Sequence, residues 1–122
     1  MTNKTLKTLD AIAQTIYDKK GSNILALDVR GISTMADYYL IAEGNVDRHV
    51  RSISFGIKDA LHDLDLHPFH IEGQKEGDWV VLDYGDIVIH LFTPELRERY
   101  ALEELWKESK IVDVAIKVDK SV

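Results

Sequence analysis

The sequence predicts an α/β domain built on a single mixed β-sheet of about five strands, with helices packed on it. Three observations carry this. First, residues 78–92 hold two apolar runs, 79–82 and 87–92, rich in Val, Ile and aromatic side chains and separated by Asp83, Tyr84, Gly85 and Asp86. Such side chains suit a pleated sheet and Gly85 suits a tight reversal, so the stretch reads as a β-hairpin. Second, the runs are nearly continuous rather than alternating, as expected for strands covered on both faces. Third, two stretches further upstream repeat apolar residues at spacings of three and four, the mark of amphipathic helices. A lone hairpin is marginal in water, so the remaining chain must supply more strands and the covering helices.

In chain order, Leu6, Leu9, Ile12, Ala13, Ile16 and Tyr17 form one face of a helix over 5–20, with Thr2 or Asn3 to cap it and Gly21 just past its end. A short strand over 24–29 and a second over 38–42 follow, joined through a polar connection around Gly31. Asn45 caps the next helix, whose apolar face runs from Val46 through Val50, Ile53, Ile57 and Leu61 to Leu64, and which ends before Pro68. A brief strand over 69–72 leads through a two-glycine loop into the hairpin. Thr93, Pro94 and Glu95 start a short helix. A second helix is expected over 101–108, with Leu102, Leu105 and Trp106 toward the core. Residues 111–118 alternate weakly and read as a terminal strand or a tail.

The whole chain, 1–122, reads as one domain with a flexible tail over 114–122. It has no cysteine, which removes disulfides, thiol nucleophiles and thiolate metal sites. No signal peptide or membrane span is read, so a cytoplasmic location is expected. The net charge of −6 disfavours a nucleic-acid backbone and suits a basic protein partner.

The search for reaction chemistry finds little. Gly44-Asn45 lacks the glycines of a dinucleotide fingerprint and the Lys-Ser/Thr end of a phosphate loop. Gly21-Ser22 could open a nucleotidyl-transfer site, but Asp63 and Asp65 sit at a helix end and Asp83 and Asp86 flank a turn, so no acid pair converges on a metal. His67 and His70 straddle Pro68 without a third ligand. No nucleophile elbow is present. His90 falls on the hairpin face shared with Val88 and Phe92 and reads as a surface or interface residue more than a core one. Trp79, Tyr84, Phe92, Tyr100 and Trp106 crowd into the last third among acids, the pattern of a protein-binding patch, with Tyr84 presented by its turn. Trp106 reads as a core ring.

These residues resemble the ribosomal silencing factors of the bacterial and organellar Iojap-like family. The resemblance covers roughly residues 6–113. It rests on the ordered set Ala26-Leu27-Asp28-Val29, Asp37-Tyr38-Tyr39, Gly44-Asn45, Arg48-His49-Val50, Glu72-Gly73, the run from Asp78 to Asp86, Val88-Ile89-His90 and the run from Tyr100 to Trp106. Gly44-Asn45-Val46-Asp47 departs from relatives that carry small hydroxyl residues before Arg48. The resemblance implies a non-enzymatic protein without cofactor or metal, folded similarly to a nucleotidyltransferase core that has lost its catalytic acids. It implies binding to the large ribosomal subunit through ribosomal protein fourteen, blocked joining of the small subunit during nutrient shortage, and a homodimer when free. Trp79, Asp83, Tyr84, Asp86, His90, Tyr100, Leu105 and Trp106 are the candidates for the ribosome-facing or dimer surface. The alternatives are a metal-dependent nucleotidyltransferase and a large-subunit assembly factor that leaves subunit joining alone.

Overall fold

A computed structural model describes residues 3–101, 104 and 107–118. Helix α1 (Asn3–Asp18) buries Leu9, Ile12, Ala13 and Ile16 completely along one stripe, as their spacing requires. It ends earlier than expected because Lys20 takes the left-handed conformation (φ 69°), while the Lys20 and Gly21 N–H groups donate to the Tyr17 and Ile16 carbonyls. Gly21 contributes through its missing Cβ, which would lie 2.4 Å from Ile16 Cγ2.

Six strands follow: β1 (Ser22–Asp28), β2 (Tyr38–Glu43), β3 (His70–Glu72), β4 (Trp79–Asp83), β5 (Ile87–Phe92) and β6 (Lys110–Val112). Helix α2 (Asp47–Asp63) lies between β2 and β3, and α3 (Pro94–Tyr100) follows β5. The sheet order is β3-β4-β5-β2-β1-β6. Strands β2 and β5 pair in parallel at the centre, and every other pairing is antiparallel. Every residue of β2 and β5 is buried, which accounts for the continuous apolar runs.

Among the described residues the sheet therefore has six strands, one more than the five or so expected. The sixth forms where the sequence left a strand or a tail open, with Ala26 opposite Val112 on the edge of β1. Beyond it the chain lies along α1. The Ala115 N–H donates to Asp10 Oδ1 (2.9 Å), the Lys117 N–H donates to Gln14 Oε1 (2.7 Å), and Val114 and Ile116 pack against the core. The second helix expected over 101–108 falls largely outside the described residues.

Strand alternation divides the sheet into two faces. Ala26, Leu40, Ala42, Val80, Leu82, Ile89 and Leu91 meet the buried stripes of α1 and α2. Leu27, Tyr39, Ile41, Val88 and Phe92 point the other way, with Trp79, Val81 and Leu96 of α3 packed against them. Val50, Ile53, Ile57 and Leu61 form the α2 stripe, while Val46 and Leu64 at its margins are exposed. The cap of α2 is Val46 rather than Asn45, and it makes no side-chain cap bond. Asn45 lies one residue too early, and its N–H is taken by His49 Nδ1 at 2.8 Å. His49 Nε2 lies 2.6 Å from the Lys19 carbonyl, so the two contacts together require a ring protonated on Nε2. That ring ties the start of α2 to the turn after α1.

Candidate functional site

Trp79 opens β4 opposite Phe92, the last residue of β5, and both point to the α3 side of the sheet. Their rings stack with centroids 5.0 Å apart. Tyr100, on the last turn of α3, lies 4.8 Å from the Trp79 ring on a tilted plane. His90 sits behind them, 5.5 Å from the Tyr39 ring and 6.1 Å from each of the Trp79 and Phe92 rings. The Trp79 indole N–H donates to His90 Nδ1 at 3.2 Å, so Nδ1 is the acceptor in the neutral ring. His90 is only 9 % exposed, and burial pushes its pKa down to about 4. The surface role expected for His90 is thereby corrected: its strand lies in the middle of the sheet, and neighbouring rings cover it.

Helix α3 holds this layer in place through a buried ion pair. Arg97 Nη1 lies 3.1 Å from Glu43 Oε2 at the end of β2. The same guanidinium group donates to the Asn23 carbonyl, and the Asn23 side-chain amide donates to Glu43 Oε2 (2.8 Å). Three segments distant in sequence thus meet around one carboxylate. Tyr100, 49 % exposed, is left standing at the rim beside half-buried Trp79. Exposed Asp78 and Glu95 follow closely in the sequence before Trp79 and after Phe92.

At the other end of the hairpin the expected geometry is overturned. Gly85 adopts φ +89°, and its N–H donates to Asp83 Oδ1 at 2.8 Å. Tyr84 is not presented to solvent by this turn. Its ring packs against the α1–α2 side of the core and lines a cavity of about 220 Å³ with Thr8, Ile12, Leu61 and Leu66. The reason is parity: the Tyr84 N–H continues the β4–β5 ladder to the Ile87 carbonyl, and this carries its side chain to the same face as Val80 and Leu82. Burial raises its hydroxyl pKa, and that hydroxyl is enclosed without a hydrogen-bond partner. The exposed ring at this turn is Phe69, 81 % exposed, lying against Gly85. Asp86 is exposed, and its carbonyl accepts the N–H groups of Asp37 and Tyr38.

The orphan hydroxyl yields a direct expectation. Tyr84→Phe removes an unsatisfied buried oxygen and keeps the ring, so it should stabilise the fold by about 1 kcal/mol. A rise in melting temperature of about 4 °C reports this. A fall would show that the hydroxyl is bonded in solution.

The structure brings together Trp79, His90 and Tyr100, and it separates them from Asp83, Tyr84 and Asp86 at the turn. Leu105 and Trp106 lie outside the described residues. The sequence reading missed Tyr39 as a member of the aromatic layer, although its alternation with Tyr38 marks the two rings as facing opposite ways. It also missed the Glu43–Arg97 pair. An acid ending an apolar strand was the available signal, but nothing local named its partner.

Among the described residues no group of three or more His, Asp or Glu side chains is placed to hold a metal, and no helix is long and apolar enough to cross a membrane. What the α/β scaffold carries is a braced aromatic layer with one half-exposed ring, Tyr100, at its rim. The chain belongs to the RsfS family, ribosomal silencing factor during starvation, whose model matches residues 2–121. The family is non-catalytic and silences ribosomes. The ribosomal silencing factor RsfS of Bacillus subtilis is 42 % identical over 106 residues, 87 % of this chain and 90 % of that protein. A crystal structure from Bacillus halodurans superposes with a TM-score of 0.77 at 32 % identity, covering 92 % of this chain and all of that one. Another from Chromobacterium violaceum gives a TM-score of 0.80 at 26 % identity, covering 98 % of both chains.

Proposed function

We propose that the protein represses translation by binding the large ribosomal subunit through its ribosomal protein fourteen and blocking association with the small subunit when nutrients run short. It does so in the cytoplasm and is a homodimer when free. Family membership across residues 2–121 carries this reading. Two physical features support it. The Trp79–Tyr100 step is a pre-positioned pair of rings, the kind of anchor that dominates protein interfaces. The net charge of −6 favours a basic protein over a phosphate backbone, so direct nucleic-acid contact is slight. Asp83 and Asp86 supply acids at the hairpin turn, and Leu105 and Trp106 are further candidates through the family resemblance. In this reading the sheet is similar to a nucleotidyltransferase core that serves as scaffold only.

The test is sedimentation of isolated subunits through a sucrose gradient with and without the protein. Co-sedimentation with the large subunit and fewer joined ribosomes are expected; normal joining at saturating occupancy would sink the proposal. Tyr100→Ala locates the surface. The ring is half exposed at a helix end, so the fold should persist, while binding weakens by about 2 kcal/mol, roughly thirtyfold. Unchanged subunit binding by this variant would move the interface away from the Trp79–Tyr100 step.

A further inference from the structure

We propose that Phe69 and the acids around the β4–β5 turn form a docking surface for an arginine-rich segment of another protein. The surface lies at the opposite end of β4 from the Trp79–Tyr100 step. It does not rest on ribosome binding.

Charge singles out this part of the molecule. Residues 59–96 hold nine Asp and Glu residues and one Lys or Arg, Lys75. The whole chain carries −6, so everything outside that stretch is net positive. Around the turn, Asp65, Glu72 and Asp86 are exposed. Asp65 and Glu72 are met by histidine rings, His67 at 3.5 Å and His70 at 2.7 Å. Asp83 and Asp86 form no ion pair among the described residues, although Lys4 lines one cavity with Asp86. The acids here are therefore largely open to an outside cation.

Phe69 gives the patch an anchor. It is 81 % exposed, so it contributes little to the core. It is nonetheless held in place. Its N–H donates to the Asp83 carbonyl at 2.8 Å, and its ring rests on Gly85, where a Cβ would lie 2.9 Å from Cε2. The Gly85 N–H in turn holds Asp83 Oδ1 at 2.8 Å, which fixes a carboxylate beside the same turn. Ring and acid are thus positioned before any partner arrives, and ordering them on binding costs little.

A guanidinium group matches both. Its planar fork suits a carboxylate, and its face stacks on an aromatic ring, whereas an ammonium group does only the first well. A phosphate backbone is repelled by this surface, and a second copy of the chain would set acids against acids on it. Each exposed ion pair contributes little alone, so the ring and several acids must act together. A dissociation constant on the order of 100 μM is expected for a short basic segment.

Titration calorimetry of the full chain at low salt, with capped hexa-arginine and hexa-lysine peptides, tests this. The arginine peptide should bind about threefold more tightly than the lysine peptide, a margin set by ring stacking. Phe69→Leu keeps an apolar side chain and should erase that margin. Asp86→Asn should weaken both peptides. Phe55→Leu, which alters another half-exposed ring on α2, should leave both affinities unchanged. Thermal melts confirm that the variants fold. Equal affinity for the two peptides overturns the proposal, as does an arginine preference that survives Phe69→Leu or is lost in Phe55→Leu. Absence of arginine-peptide binding at millimolar concentration overturns it as well.

Discussion

Glu43→Ala is expected to destabilise the protein by about 3 kcal/mol, far more than removal of a surface acid. Both side chains of the Glu43–Arg97 pair are close to nine-tenths buried. Removing the carboxylate takes the ion-pair partner Glu43 from a largely buried guanidinium group, and it takes away the acceptor that the Asn23 amide uses. Helix α3 is only seven residues long and buries none of them fully, so the ion pair joins Leu96 and Tyr100 in holding it on the sheet. Its loosening should uncover Trp79 and Phe92. Denaturant unfolding monitored by tryptophan fluorescence checks the loss. The paired replacement Glu43→Leu with Arg97→Met should recover most of it, since an apolar pair needs no compensating charge. A single variant as stable as the parent would show that solvent reaches the pair and screens it.

The second large effect is acid sensitivity centred on His90. Its pKa is about 4 in the folded state, against 6.5 for the free side chain, because burial disfavours the imidazolium form. Above pH 6.5 the ring is neutral in both states, and its contribution is fully present. Below that the unfolded chain takes up a proton that the folded chain refuses, so stability falls as pH drops from about 6.5 toward 4 and levels off beneath. The total is about 3 kcal/mol. His90→Phe keeps a ring in the layer and removes the titration. It sacrifices the acceptor for the Trp79 indole, an offset of about 1 kcal/mol that does not vary with pH. The difference between parent and variant unfolding energies, measured from pH 7.5 to pH 4, isolates the effect. A difference that stays flat across that window would mean His90 is hydrated in the folded protein.

Much of the scaffold was legible in local pattern. The hairpin is legible because its β-branched and aromatic runs flank a glycine turn. The two long helices are legible because Leu9, Ile12, Ala13 and Ile16 in one, and Val50, Ile53, Ile57 and Leu61 in the other, repeat with the helical period. The near-continuous apolar run of β5 told correctly that it is buried on both faces. Family membership was equally legible, since it resides in the order of short motifs along the chain. The sixth strand was not, because a three-residue edge strand is stabilised by its neighbour β1 and by α1 rather than by its own periodicity.

The sequence by itself therefore determined the two long helices, the hairpin and the strands before it, their order and the family. Only the tertiary structure decided which side chains meet. Tyr84 looked presented because turn residues usually are, yet the ladder's parity carries its ring inward and leaves Phe69 outside. His90 looked available because a histidine in a strand is often at a surface, yet β5 lies between two strands and under a ring from each of them. Arg97 found Glu43 across 54 residues because α3 returns over the end of β2. Period and composition act over a few residues, whereas burial and pairing depend on sheet order, which no local spacing records.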